Sequence, residues 1–167
     1  MRHWWYGTGM ATVAAVLAVC GSTFAAPFDD ADDVEMTKIT IPLTGSTIVT
    51  HQGKDCKKTE VVDIQNGSEV QIVAAVKKKD TSFVTVTLVD VTGIGELTNH
   101  TYIGHGSHKY TDQQIETSGA WTVDLTGHSF KFAPTHESCA DSSLDPFMQL
   151  QFFNGKLRDT STAQVSP

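Results

Sequence analysis

Short runs of alternating apolar and polar residues, each ended by a turn-forming cluster, constrain this chain more than any other feature. Ile39, Ile41 and Leu43 alternate with Lys38, Thr40 and Pro42, a half-buried strand that Pro42 places near an edge or an end. Glu60–Ile64 and Glu69–Val76 flank Asn66-Gly67, a strong hairpin dipeptide. Phe83–Val91 is dense in β-branched residues, as a central strand requires. Trp121, Val123 and Leu125 alternate with Thr122 and Asp124 and are expected to point inward. Ser129–Phe132 follows the turn at Gly127-His128, and Met148, Leu150 and Phe152 alternate with glutamines before Asn154-Gly155. No segment has a convincing helical period, although residues 111–118 could form a short helical turn. The spacing predicts an all-β chain: one antiparallel β-sandwich, or a small barrel, of about seven or eight strands.

The first 25 residues read differently. Arg2 and His3 precede the apolar run Met10–Cys20, which is too short to span a bilayer, and Gly21–Ala25 supplies small residues for cleavage. This is the layout of a secretory signal peptide over 1–25, and cutting after Ala25 places Thr23 and Ala25 at the small-residue positions. Leu17-Ala-Val-Cys20 offers a rival, lipid attachment through Cys20, but Val19 is branched where that route needs a small residue. The expected location is therefore the periplasm or the cell exterior. A flexible acidic lead-in covers 26–33, the β domain 34–157 and a polar tail 158–167.

Loss of the leader changes two counts. It removes Arg2, so 12 basic and 19 acidic residues become 11 and 19, a net charge of −8. That balance argues against nucleic acid and anionic lipid as partners. It also removes Cys20, leaving Cys56 and Cys139. An even pair in an oxidising compartment reads as one disulfide, closing a loop of about 80 residues and contributing roughly 4 kcal/mol. Metal ligation by the same thiolates has only His51 and His136 as neighbours and no C-x-x-C pair behind it. No second apolar stretch is long enough to be a transmembrane helix.

One constellation could carry chemistry. Asn99–Tyr110 places His100, His105 and His108 within nine residues, and His128 follows in a later turn. Imidazole suits copper or zinc. Gly104 and Gly106 could let the segment curl until His105 and His108 face one ion, with Asp112 and Glu116 as supporting hydrogen-bond partners. Against this, the spacing matches no standard zinc motif, and loop histidines are common. Ser107 lies in Gly-His-Gly-Ser-His, which is not the G-x-S-x-G elbow, and no glycine pair makes a phosphate loop. Nothing defensible as a catalytic residue emerges.

The expectation is thus an exported, non-enzymatic binding or interaction module with no cofactor. Its polar stretches 44–59, 92–119 and 133–146 read as long loops, and a protein or small ligand would meet it there, with Tyr102, His105 and Tyr110 as contacts. A copper- or zinc-binding protein using the four histidines is the first alternative. A fimbrial or other surface structural subunit is the second, on analogy of fold alone.

Overall fold

The computed structural model describes residues 34–50, 59–77, 81–135 and 142–167. Cys56, Cys139 and the leader lie outside them. The described residues form thirteen strands and no helix: β1 (Val34–Thr50), β2 (Thr59–Ile64), β3 (Glu69–Lys77), β4 (Ser82–Val89), β5 (Val91–Gly95), β6 (Thr101–His105), β7 (Ser107–Gln113), β8 (Ala120–Leu125), β9 (Phe130–Pro134), β10 (Ser142–Leu144), β11 (Phe147–Phe153), β12 (Lys156–Leu157) and β13 (Thr162–Val165). All belong to one hydrogen-bonded sheet. The all-β, antiparallel reading holds, but the expected seven or eight strands are thirteen, and they are linked in one open sheet.

Four long lines of chain explain the excess. β1 pairs antiparallel with β3 over Val34–Pro42 and with β2 over Ser46–Thr50, so β2 and β3 together form one line beside it. β4 pairs with β3 and β5 with β2, making a third line. β7 pairs with β4 and β6 with β5, making a fourth. Each line turns a corner between its halves, and each corner holds one residue of positive φ: Gly45 at 105°, Gly67 at 93°, Asp90 at 49° and Gly106 at 135°. Bends of this kind let strands pass from one half of a folded sheet to the other. At Asp90 the buried positions also change phase, from Val84, Val86 and Leu88 to Val91 and Gly93, as a one-residue bulge demands.

The remaining strands extend this frame. β9 pairs with β6 and β10 with β9. On the other edge of β1, β13 pairs parallel to it at Leu43–Gly45; β11 then lies between β13 and β8, with β12 folded back on its end. Inward residues from every strand but β7 join one hydrophobic core, including Ile72, Val86, Tyr102, Phe132, Met148 and Phe152. A single sheet can share one core in this way only by curling around it.

Several sequence expectations change accordingly. Residues 44–50 continue β1, and β5, β6 and β7 occupy most of the expected loop 92–119. Residues 111–113 finish β7, so no helical turn forms at 111–118. The tail contributes β13, with Ala163 and Val165 buried. Val123 and Leu125 point inward as expected, but Trp121, at the start of β8, is 40% exposed. No helix among the described residues is long and apolar enough to cross a membrane.

Candidate functional site

The histidine segment does not curl. It is extended through β6 and β7 and hydrogen-bonded to β5 and β4, so side chains alternate along it. His105 is exposed opposite Lys131, whereas His108 takes the inward phase and is half-buried. His100 lies in the turn before β6, about 16 Å from His105 at the rise of a strand. His128, between β8 and β9, comes onto His108: the rings stack at 3.6 Å between centroids, 11° from parallel. Tyr110 meets His108 edge-on at 4.7 Å, and Phe130 meets His128 likewise at 4.7 Å. Thus two of the four histidines are brought together. Ring nitrogens of parallel imidazoles aim their lone pairs side by side and not at one point. Among the described residues, no group of three or more His, Cys, Asp or Glu side chains is placed to hold a metal ion. Asp112 is exposed in β7, and Glu116 is exposed beyond it.

The proposed contact residues separate as well. Tyr102 is fully buried, stacked on Phe132 at 5.2 Å, and its hydroxyl donates to Glu60 Oε1 at 3.0 Å. It is a core residue. Tyr110 is half-buried with its hydroxyl unpaired, and desolvation holds its phenol above its ordinary pKa of 10.0. Only His105 of the three is on the open surface.

Sequence reasoning missed Glu60. Its carboxylate is buried, which alone would cost several kcal/mol. The turn after β5 answers it: Leu97 N and Thr98 N donate to Oε2 at 3.1 and 3.0 Å, and Thr98 Oγ1 donates to Oε1 at 2.7 Å. Hydrogen bonds to a charged group contribute roughly 1.5–3 kcal/mol each. Gly95 is required here because a Cβ would collide with the carboxylate. The result is a fixed turn, 96–100, that presents Leu97 at 71% exposure. The available signal was phase: Glu60 shares the inward parity of Val62.

Beside that turn the outer face of the sheet carries apolar side chains among its polar ones. Ile48 on β1 is 50% exposed and sits opposite the half-buried Val61 of β2; Ile103 on β6 is 44% exposed and sits opposite the half-buried Ala133 of β9. Half-buried Ile94 on β5 lies between these two rows, opposite Asp63 on β2 and Thr101 on β6. These side chains run diagonally across five strands, with Leu97 at the end of β5.

No protein family, no curated protein and no solved structure matches this chain. Geometry alone therefore defines its class, an all-β chain whose outer sheet face carries an apolar diagonal.

Proposed function

We propose that this chain is an exported, non-enzymatic interaction module that meets a protein partner through the outer face of β1, β2, β5, β6 and β9 and the turn at Leu97. The observation that carries the reading is the apolar diagonal Ile48–Val61–Ile94–Ile103. Ile48, Leu97 and Ile103 are exposed along it, and large apolar side chains grouped on a sheet face are a mark of interaction surfaces. Export rests on the leader at 1–25, and the acidic balance favours a protein over a polyanionic partner. A photo-crosslinking residue at position 103, used in the native host, tests it. The expected outcome is a discrete adduct that disappears when Ile48→Glu and Leu97→Glu are added. Those exposed substitutions should shift stability by only about 0.5 kcal/mol each. No adduct, or one indifferent to both changes, would remove this face as the interface.

The Cys56–Cys139 disulfide belongs to the same proposal. The segment holding Cys56 joins Thr50 to Thr59, and the segment holding Cys139 joins Thr135 to Ser142. Following the register from β1 through β2, β5, β6 and β9 to β10 puts these four strand ends at one end of the sheet. Thr50 and Ser142 moreover line a common groove of about 540 Å³.

A further inference from the structure

Sheet edges bind other chains unless something blunts them. Among the described residues three edges are blunted. β10 is only three residues long. β7 carries a bulge opposite Ser82–Val84, with Asp112 at a φ of 60°, and a lysine, Lys109. β1 beyond Gly45 faces Ser142 and Ser143 of β10 across a groove. β8 has none of these devices. It keeps unbroken register with β11, from Ala120 opposite Phe153 to Leu125 opposite Met148, and contains no proline and no lysine. Among the described residues no strand pairs with its other edge.

The hydrogen bonds around β11 show which groups of that edge are open. Gly119 turns toward β11: its carbonyl accepts from Asn154 N at 2.9 Å and its N–H donates to Asn154 Oδ1 at 2.9 Å. Gln151 turns the opposite way, its N–H donating to Ser161 Oγ at 2.9 Å and its carbonyl accepting from Arg158 N at 2.8 Å. Backbone groups alternate in direction along a strand. Trp121, Val123 and Leu125 therefore bond to Phe152, Leu150 and Met148, while Thr122 and Asp124 aim their N–H and C=O groups away from β11. Side chains alternate as well. Trp121, Val123 and Leu125 share the core face, although the indole is still 40% exposed; Thr122 and Asp124 lie exposed on the outer face. Asp124 Oδ1 accepts from Gln149 Nε2 on β11 at 3.3 Å, so one carboxylate oxygen is held back from the edge.

We infer that two copies of this chain join β8 to β8, antiparallel, about a two-fold axis at Val123. Thr122 of each copy exchanges backbone hydrogen bonds with Asp124 of the partner subunit, and its hydroxyl meets that carboxylate. On the core face Val123 lies against its own counterpart, and the exposed indole of Trp121 covers Leu125 of the partner subunit. The segment Trp121–Leu125 is thus complementary to itself, apolar opposite apolar and hydroxyl opposite carboxylate, which favours a second copy over a foreign strand. Each copy has one β8, so the assembly closes at two. Six residues a side make a small interface, and the pairing is accordingly weak and reversible. β8 stands apart from the strands of the apolar diagonal, so either reading survives loss of the other.

Sedimentation equilibrium of the leader-free protein, from micromolar to millimolar concentration, tests the inference. The wild type should pass reversibly from monomer to dimer. Trp121 is the only tryptophan left after the leader, so its quenching by acrylamide should fall over the same range. Thr122→Pro should abolish the dimer and keep the circular dichroism spectrum, because the N–H it removes points away from β11. Thr122→Asp should weaken association about ten-fold, since it sets like charges opposite each other twice across the axis; this exposed change carries the test if the proline variant loses its spectrum. Adding Asp124→Thr to Thr122→Asp should restore wild-type association, because hydroxyl and carboxylate have then exchanged places. An axis at Thr122 would instead bring the two new carboxylates together, and the exchange would restore nothing. A monomer at every concentration overturns the inference, as does a dimer that both Thr122 variants leave intact. A weakened dimer that the exchange fails to restore overturns the axis at Val123.

Discussion

The stacked pair His108 and His128 shows what side-chain phase does to chemistry. Burial chiefly holds His128 below its ordinary pKa of 6.5; the charge His108 would carry lowers it further, and Asp145 opposes both. A histidine depressed in the folded state binds fewer protons folded than unfolded. Its contribution to stability is therefore present above about pH 6.5 and is lost as pH falls through the lower folded value. An NMR titration of the His128 ring checks this. His108→Asn should raise the His128 midpoint toward 6.5 by removing a like charge and opening the ring to water, and Asp145→Asn should lower it. Midpoints that move in neither variant would mean that the stack does not couple the two rings. The sequence showed four histidines close together but not which faces they take. Period two along β6 and β7 separates His105 from His108, and the pairing of those strands was hidden because Gly104, Gly106 and Ser107 resemble loop residues.

At the level of elements, the inward alternation of β3, β4, β9 and β11 was readable because packing against one core imposes it directly. The corners were not. Asn66-Gly67 announces a turn through its own chemistry, and there a turn exists. Gly45, Asp90 and Gly106 become corners only because each line of chain changes partners at that point, which is a property of neighbouring lines. Two glycines of positive φ should therefore respond differently to alanine. At Gly67 nothing lies near an added Cβ, so Gly67→Ala should cost only the backbone term, about 1 kcal/mol. At Gly45 the Cβ would run into the Val165 carbonyl, where β13 docks parallel to β1. Gly45→Ala should cost about 2–4 kcal/mol in urea unfolding, since overpacking adds to backbone strain. Equal losses at the two sites would mean that the close approach of β13 contributes nothing. The same contact explains why the tail could not be recognised as a strand: its polar composition conceals Ala163 and Val165, and its partner Leu43 lies far away in sequence.

For the whole molecule, one curled sheet leaves edges that a closed barrel would not have. Among the described residues the order runs from β10 through β9, β6, β5 and β2 to β1 and does not close on itself. Beyond Gly45, β1 has β2 on one edge and no strand pairing on the other among the described residues. Edges of this kind invite pairing with other chains unless something restrains them. A Cys56–Cys139 bond would tie the segment after β1 to the segment before β10 and so restrain both edges with one link. Leader-free protein should then take up no iodoacetamide when unfolded under non-reducing conditions, and two equivalents after reduction. Cys56→Ser and Cys139→Ser should each lower stability by about 4 kcal/mol, the value for closing so long a loop. The double variant should lose no more than either single one, because removing one sulfur already removes the bond. Additive losses, or free thiols before reduction, would show two independent cysteines and leave the edges of β1 and β10 untied.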